Sequence, residues 1–378
     1  MTKILISAGE VSGDLHAAAV TAAIKKIDPT VEVFGMGGDA LRDAGGEVLF
    51  DIKDHGVMGF VEVVKKLPNL FKLRDDFAKV MDERQPDCLV TVDYPGFNMK
   101  LAKLAHEKGI PVVSYIAPSA WAWHKSRAKN VAKIVDKVAS IFPFEYDVYK
   151  EAGANVEFVG HPLVDIVRPK MTEAEANTFA GKQDDRKLIL IIPGSRLMEI
   201  EKMLPTLLEA AKLIKKQLPE VDFVMPRAGS IPLQMLEEKI KVSGISVKIT
   251  EGNNYDLFSV ADLALATSGT VTLEAALCGL GSVIVYRTNP LTYFIAKLVV
   301  NIPHIGLPNI VAGKSVLPEL IQDDFTPEKV AKEAISLLER ERNAKMKEDL
   351  AYVKERLGKP GAVGRVAELV LKIAGEKK

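Results

Sequence analysis

The strongest constraint on the fold of this 378-residue chain is a series of short, apolar, β-branched runs that alternate with helical patterns. Most of the runs are apolar throughout, which is typical of parallel strands that helices cover on both faces. The first half is predicted to contain strands at Lys3–Ala8, Val31–Met36, Cys88–Val92, Val112–Ile116, Val138–Phe142 and Val156–Val159. The second half repeats the pattern at Leu188–Ile192, Val221–Met225, Val247–Thr250, Leu263–Ala266 and Val283–Tyr286.

This alternation predicts two doubly wound, Rossmann-like α/β domains that face a cleft. We expect the first domain at residues 1–168 and the second at residues 187–344. The polar segment 168–187 lacks a strand pattern and is interpreted as a linker region with a short helix. In such sheets ligands bind beyond the carboxyl ends of the strands, so the loops at those ends are the candidate sites.

Composition and charge exclude several classes of protein. Fifty Lys and Arg balance fifty Asp and Glu, so the chain as a whole has no electrostatic preference for nucleic acid. The two cysteines, Cys88 and Cys278, lie in apolar stretches and lack metal-ligand spacing, which favours a reducing compartment. Neither a signal peptide nor an uninterrupted spanning segment is recognised, since polar residues break the apolar stretch Leu291–Leu307. A cytoplasmic protein is expected.

Two loops of the second half predict a site for a nucleoside diphosphate. In one, a strand ends in Pro193-Gly-Ser-Arg196, where Ser195 and Arg196 could hold phosphate, although a plain turn with a solvated Arg explains the same residues. In the other, Ser268, Gly269 and Thr270 precede a helix whose start could bind a pyrophosphate. Glu274, one turn further, could accept bonds from ribose hydroxyls or be a surface residue. The absence of G-x-G-x-x-G after a strand argues against a dinucleotide site.

The loops of the first half carry carboxylates and indicate a hydroxylated ligand. Glu10, Ser12 and Asp14 follow the first strand, and helix capping by Ser12 or Asp14 explains only one of them. Asp93 directly follows a buried strand and is the candidate general base, with Asn98 nearby and a turn-forming role as the alternative. His161 is the second candidate base. The remaining candidates His16, His55, His106 and His304 are expected to be structural or solvent-facing.

Two stretches suggest contact with lipid. His55–Leu73 combines many apolar side chains with lysines, which fits either an interfacial helix or a core helix. Two tryptophans precede a basic helix and fit either a membrane interface or a packed pair. The predicted membrane-contact residues are Val57, Met58, Phe60, Val64, Leu67, Leu70, Phe71, Trp121 and Trp123.

In this order the motifs resemble the lipid-A-disaccharide synthase family over the whole chain. The segments that carry the resemblance are Gly9-Glu-Val-Ser-Gly-Asp14, Val57-Met-Gly-Phe-Val-Glu62, Asp93-Tyr-Pro-Gly-Phe-Asn98, Pro118-Ser-Ala-Trp-Ala-Trp123, Phe144-Glu145, Phe158-Val-Gly-His161, Pro193-Gly-Ser-Arg196, Ser268-Gly-Thr270 with Glu274, Tyr286-Arg287 and Leu307-Pro-Asn309. Two positions depart from the pattern. His124 stands where many relatives have Arg, and Gly96 stands where some have Asp.

The resemblance implies a GT-B glycosyltransferase fold, with the helices from about 345 to 378 packing back on the first domain. It implies that UDP-2,3-diacylglucosamine and 2,3-diacylglucosamine 1-phosphate (lipid X) condense to a β-1′,6-linked disaccharide 1-phosphate, with inversion and without a metal or other cofactor. Asp93 would be the base, and Arg196, Ser268, Gly269, Thr270, Glu274 and Asn309 would hold UDP. Glu10, Ser12, Asp14 and Asn98 would line the sugar side.

The same resemblance implies a peripheral protein on the cytoplasmic face of the inner membrane of a Gram-negative-type bacterium, and it is compatible with a homodimer. Two other classes are compatible with the residues. One is an enzyme like UDP-GlcNAc 2-epimerase, which would need no lipid surface, and the other is a sugar-binding protein without catalytic activity. Such binding proteins are commonly exported, which the missing signal-peptide pattern argues against.

Overall fold

The computed structural model describes residues 1–55, 60–118, 125–183, 186–290, 293–294 and 303–376, and of residues 55, 60–68 and 125 only the backbone is described. The chain divides into two compact units. Unit 1 comprises residues 1–162 and 358–378, and unit 2 comprises residues 163–357. The second unit therefore begins before the expected linker and includes the chain up to residue 357.

Unit 1 is built on a parallel sheet of seven strands in the order β3-β2-β1-β4-β5-β6-β7. The strands are β1 Lys3–Ala8, β2 Glu32–Gly37, β3 Glu47–Asp51, β4 Cys88–Val92, β5 Val112–Tyr115, β6 Lys137–Ser140 and β7 Val156–Phe158. The described helices are α1 Val11–Ile27, α2 Asp39–Asp43, α3 Ile52–His55, α4 Phe60–Arg84, α5 Pro95–Glu107, α6 Lys125–Ile134, α7 Pro143–Glu151 and, from the end of the chain, α17 Ala362–Glu376.

Unit 2 is built on a parallel sheet of six strands in the order β10-β9-β8-β11-β12-β13. Its strands are β8 Lys187–Ile192, β9 Val221–Arg227, β10 Lys248–Glu251, β11 Leu263–Thr267, β12 Ser282–Tyr286 and β13 Glu319–Ile321. Its described α-helices are α8 Leu163–Ile166, α9 Glu173–Ala180, α10 Leu197–Gln217, α11 Leu233–Ser243, α12 Asn254–Val260, α13 Thr270–Leu277, α14 Leu307–Ala312, α15 Pro327–Leu338 and α16 Arg340–Arg356. The predicted class, two parallel-sheet α/β folds, is confirmed.

In both sheets the strand order reverses direction next to the first strand of the unit. The reversal lies between β1 and β4 in unit 1 and between β8 and β11 in unit 2. The loops that leave adjacent strands at such a point diverge and open a crevice, the usual ligand site of this architecture. The candidate loops 9–14 and 93–98 follow β1 and β4, and the loops 193–196 and 268–270 follow β8 and β11. The topology thus pairs the candidate loops within each unit.

Two short strands were not predicted, and both lie at sheet edges. The residues of β3 are partly exposed and carry acidic side chains at both ends, so they lack the continuous apolar run of a covered strand. β13 has only three residues, all of them partly buried. An edge strand is covered less completely than a central one, and its sequence pattern is correspondingly weak.

The segment expected to be a linker packs into unit 2. Helix α9 is closed at its start by a capping box of Thr172 and Glu175, and its Ala176 and Ala180 are buried in the core of the unit. The backbone N–H groups of Lys170 and Met171 both donate to Asp256 Oδ1, at 2.6 and 2.7 Å. At the other end of the chain, α16 belongs to unit 2, and α17 packs against α1 of unit 1.

The stretch His55–Leu73 contributes most of its residues to the start of α4, a helix of 25 residues. Leu73 is 2% exposed and belongs to the core of unit 1, whereas Leu70 is partly buried against that core. Phe71 is 48% exposed, with cations of Arg74 and Lys100 lying 5.6 and 5.2 Å from its ring centre. Among the described residues, none of the helices combines the length and the apolar composition needed to cross a bilayer.

Candidate functional site

The loops after β1 and β4 are packed directly on each other. A Cβ atom added to Gly9 would lie 2.2 Å from the ring of Tyr94, which no real side chain tolerates. Glycine at position 9 is therefore required by the aromatic ring that follows Asp93. The charge of Glu10, together with the larger effect of burial, raises the pKa of Tyr94. The two acidic loops form one continuous surface at the carboxyl edge of the sheet.

Asp93 has an uncommon backbone conformation. Its φ is 49° and that of Tyr94 is 52°, so two successive residues other than glycine occupy the left-handed region. Each such residue costs on the order of 1 kcal/mol and persists only where its surroundings hold it in place. The strain turns the chain sharply at the end of β4 and leaves Asp93 half-buried at the sheet edge. Residues held in this way cluster at functional sites.

Asn98 holds this turn in place. Its side chain is 3% exposed, its Oδ1 accepts from Ser7 Oγ at 2.6 Å, and its Nδ2 donates to the carbonyl oxygens of Ser7 and Asp93 at 3.1 and 2.7 Å. The amide therefore joins the end of β1 to the turn at Asp93. This differs from the expectation that Asn98 contacts the sugar, because its polar atoms are buried and used within the protein.

Substituting Asn98 by Ala is expected to lower the free energy of unfolding by about 3 kcal/mol, because it leaves a buried hydroxyl and buried carbonyls without a partner. Denaturant titration measures the effect. Ser12→Ala is the matched control, since Ser12 is exposed at the same edge and its removal should change stability by less than about 0.5 kcal/mol. Equal stability of the two variants would contradict the positioning role of Asn98.

His16 lies beside Asp93, and His161 lies close to His16. The negative charge of Asp93 acts on His16, although burial has the larger effect and lowers the pKa of that imidazole. Burial, with a smaller contribution from His16, lowers the pKa of His161 to about 3, so His161 is neutral at physiological pH. The ring of His16 meets that of Tyr115 edge-on with centroids 6.1 Å apart, and the ring of His161 lies 4.7 Å from that of Phe142.

His16 was expected to be structural or solvent-facing, and its place beside Asp93 was missed. A signal was available in the sequence. Helix α1 begins at Val11, so Ser12 and His16 lie four residues apart on one helical face that starts at the candidate loop.

The other acidic residues of the first loop have different surroundings. Asp14 is 5% exposed, and its carboxylate accepts from the N–H groups of Gly38, Ala40 and Leu41 at 2.6 to 3.2 Å. It thereby caps α2 and is not open to a ligand, in contrast to both sequence expectations, a sugar contact and a cap for its own helix. Glu10 occupies the N-cap position of α1 without a side-chain capping bond and, like Ser12, is exposed.

In unit 2, a carboxylate of the protein occupies the loop after β8. Glu199 Oε2 accepts from the N–H groups of Ser195 and Arg196 at 2.9 and 3.2 Å. Gly194 has a φ of 121°, and a Cβ there would lie 2.5 Å from the same oxygen. The backbone donors at this turn are therefore taken, whereas the exposed side chain of Ser195 and that of Arg196, which is 81% exposed, can reach a ligand. The role of Glu199 was missed.

The loop after β11 differs in this respect. Helix α13 begins at Thr270, its N-cap residue is Gly269, and among the described residues no side-chain capping bond is present there. A Cβ at Gly269 would have nothing within 4 Å, so the helix start is open on that side. Ser268 fixes the loop through its Oγ, which donates to the carbonyl oxygen of Ile305 at 3.0 Å. An uncapped helix N-terminus presents backbone N–H groups and a positive dipole to an anion.

Glu274 is half-buried on α13, one turn beyond Thr270. Burial raises the pKa of its carboxyl group. Burial raises the pKa of both Tyr255 and Cys278 to about 12, and the charge of Glu274 adds to this in each case. These side chains form a partly desolvated cluster, in which a carboxylate benefits from hydroxyl donors supplied by a ligand.

Asn309 is fully buried, contrary to the expectation of a UDP contact. Its Oδ1 accepts from the N–H groups of Val316 and Leu317, both at 2.8 Å, and its Nδ2 donates to Glu319 Oε1 at 2.7 Å. Glu319 in turn accepts from the N–H groups of Ile305 and Gly306 at 2.9 and 3.0 Å. Asn309 and Glu319 therefore set the position of the loop that Ser268 contacts, and the part played by Glu319 was missed.

For most of the expected membrane-contact residues the side chain is not described. Val57, Met58, Trp121 and Trp123 are not described, and for Phe60, Val64 and Leu67 only the backbone is. Of the two that remain, Phe71 is exposed, and Leu70 packs against the core.

Comparison with solved structures shows a common fold at low sequence identity. UDP-GlcNAc 2-epimerase from Neisseria meningitidis, bound to UDP-GlcNAc, superposes with a TM-score of 0.67 at 16% identity, covering 98% of this chain and 100% of that one. MurG from Acinetobacter baumannii gives 0.62 at 18% identity, with coverage of 98% and 100%. The two Rossmann-like units thus have the GT-B fold.

Comparison of sequences shows a narrower relationship. The lipid-A-disaccharide synthase of Geobacter sulfurreducens is 41% identical over 376 residues, which cover 99% of this chain and 98% of that protein. The corresponding protein of Trichlorobacter lovleyi is 42% identical over 370 residues, with coverage of 98% and 97%. The family model described as lipid-A-disaccharide synthetase matches residues 4–372. The chain therefore belongs to the lipid-A-disaccharide synthase family and is a glycosyltransferase of lipid A disaccharide synthesis.

Proposed function

We propose that the chain transfers the sugar of UDP-2,3-diacylglucosamine to the 6-hydroxyl of 2,3-diacylglucosamine 1-phosphate, with inversion at the anomeric carbon. The products are the β-1′,6-linked disaccharide 1-phosphate and UDP. The observation that carries the proposal is a contrast between the two units in the loops where the strand order reverses. Unit 1 presents carboxylates and imidazoles, whereas unit 2 presents an uncapped helix start and an exposed Arg. The first set suits a hydroxyl acceptor, and the second suits a diphosphate.

In the proposed donor site, the start of α13 binds the pyrophosphate through backbone N–H groups at Ser268–Thr270. Arg196 adds a permanent charge and a planar pair of donors, which stabilise the negative charge that develops on the departing UDP. The UDP-GlcNAc bound to the Neisseria meningitidis epimerase, a protein of the same fold, supports a UDP-sugar ligand. The occupied turn after β8 supports the choice of α13, since Glu199 already uses the donors there.

In the proposed acceptor site, Asp93 removes the proton of the 6-hydroxyl as that oxygen attacks the anomeric carbon and the bond to UDP breaks. Exposed Glu10 and Ser12 are placed on the sugar side of the same edge. His161, the other candidate base, is 6% exposed and packed against Phe142, which favours Asp93 for contact with a hydroxyl. His16, beside Asp93, is proposed to position that carboxylate.

We also propose that the acyl chains and the membrane surface lie at this edge of unit 1. Val11 and Leu15, in the first turns of α1, are 66% and 60% exposed, although both are apolar. Phe71 adds a third exposed apolar side chain, flanked by cations. Exposed apolar residues beside cations are typical of proteins that rest on anionic lipid, which supports a peripheral location on the inner membrane.

The test of the proposed function is mass spectrometry of the products after purified protein is incubated with UDP-2,3-diacylglucosamine and 2,3-diacylglucosamine 1-phosphate. A disaccharide 1-phosphate together with UDP is the expected result. Folded protein that leaves both substrates intact would overturn the proposal. Conversion of unacylated UDP-GlcNAc to its 2-epimer would instead favour the epimerase alternative, and tight binding without turnover would favour a binding protein.

Glu274 is proposed to accept the ribose hydroxyls, which predicts a pH dependence. Because burial raises its pKa, the carboxylate gains its proton at a higher pH than an exposed glutamate. Affinity for UDP should therefore be complete above the raised pKa and decline as the pH falls through it. Calorimetric titration from pH 4 to 7 tests this, with Glu274→Gln as the control, because the amide does not titrate. Identical pH profiles for the two proteins would remove Glu274 from the ribose site.

A further inference from the structure

A groove between α5 and α6 of unit 1 has a composition that the proposed reaction does not yet explain. Its volume is about 580 Å³. Met99 and Ile134 belong to its apolar lining, and the cations around it are Lys100, Lys103, Arg127 and Lys133. None of the described residues that line it is acidic. The groove thus combines an apolar lining with several cations. This combination complements a ligand that has an anionic group and a hydrocarbon chain.

The cations are only partly used within the protein. Lys100 lies over the ring of Phe71, and Lys103 approaches Glu107 at 3.7 Å, an exposed pair of little energetic weight. Within the described ranges, Arg127 and Lys133 have no ion pair, and both are exposed on α6. Arg127 near the start of α6 and Lys133 near its end both line the groove, and together they make it locally electropositive.

One end of the groove is formed by residues that closely follow Asp93 in the chain. Pro95 and Gly96, the first residues of α5, belong to its lining, and Asp93 lies only two positions before Pro95. A Cβ at Gly96 would meet nothing within 4 Å, so the groove is open at that end. A ligand that reaches Asp93 with one group could therefore occupy the groove with another.

We propose that this groove binds the phosphate and the adjoining part of one acyl chain of a phosphorylated acyl sugar. Arg127 and Lys133 hold the phosphate, and Met99 and Ile134 contact the chain. The assignment rests on the proposed function, since it makes the acceptor the occupant. It adds that the phosphate is selected by α6 of unit 1, and that this helix distinguishes the acceptor from an acyl sugar without phosphate.

The kinetic test compares two double variants of equal charge. Arg127→Ala with Lys133→Ala removes the two proposed phosphate-binding cations, and Lys129→Ala with Lys347→Ala removes two exposed lysines that do not line the groove. Alanine suits exposed helix positions, so both proteins should fold. The first variant should raise KM for the acceptor roughly tenfold or more, because charge-assisted bonds to phosphate are lost, with KM for the UDP-sugar unchanged. Equal acceptor KM values in the two variants would overturn the proposal.

A binding test separates this proposal from the proposed function. Calorimetry below the aggregation concentration uses lysophosphatidate, the monoacylglycerol of the same chain and inorganic phosphate. Lysophosphatidate should bind more tightly than either of the others and lose about tenfold in affinity with Arg127→Ala/Lys133→Ala. Inorganic phosphate binding equally well would show that the apolar floor contributes nothing and would overturn the proposal. Normal lipid binding without disaccharide formation would count against the proposed function alone.

Discussion

Asp93→Asn is expected to lower kcat by about 10²- to 10⁴-fold and to leave UDP binding unchanged, because the amide cannot accept the proton of the attacking hydroxyl. The substitution keeps the size of the side chain. It also suits the backbone, since Asn is among the residues that tolerate the left-handed region best and φ is 49° at this position. The loss of activity should therefore come from the chemistry and not from the fold.

The measurement is single-turnover kinetics beside calorimetric titration with UDP and thermal unfolding. Asp93→Ala, which loses the carboxylate and also the side chain that tolerates this turn, should be less stable than Asp93→Asn. Turnover of Asp93→Asn within tenfold of the parent protein would remove Asp93 as the base. In that case His16, which the charge of Asp93 affects, would be the next residue to substitute.

Arg196→Ala is expected to lower kcat by roughly 10²- to 10³-fold, because a donor directed at the developing charge of the leaving group is lost. Its side chain is 81% exposed and, in the part of the chain that the structure describes, pairs only with Glu199, at 3.4 Å, so stability should hardly change. The kcat of Arg196→Lys should lie between that of the parent protein and that of Arg196→Ala, since lysine keeps the charge but lacks the planar pair of donors.

Lys202→Ala is the matched control, an exposed cation further along the same helix, and should retain full activity. The readout is kcat with acylated UDP-sugar, together with the affinity for UDP. Full activity of Arg196→Ala would assign leaving-group stabilisation to the start of α13 alone. A loss of UDP affinity with unchanged kcat would make Arg196 a residue for substrate binding and not for the transition state.

Local patterns in the sequence determined the fold class and pointed to the loops of the candidate site. Continuous apolar runs marked most central strands, because a strand covered on both faces leaves no polar position in its sequence. The residues that follow β1, β4, β8 and β11 could be identified as candidate site residues from the sequence, since such sheets bind ligands at the carboxyl ends of their parallel strands. The edge strands β3 and β13, in which no residue is fully buried, had patterns too weak to be predicted.

The sequence could not decide which of these polar residues face a ligand. Asp14 caps a helix that begins 25 residues later, and Asn98 binds Ser7 across 91 positions of the chain. Asn309 binds the backbone at residues 316–317 and also Glu319, which in turn binds the loop at residues 305–306. A carboxylate or amide after a strand has the same local pattern whether its partner is a sugar or a distant backbone group. Only the tertiary structure brings those partners within bonding distance, and so only it separates the residues that hold the site from those that are free to bind.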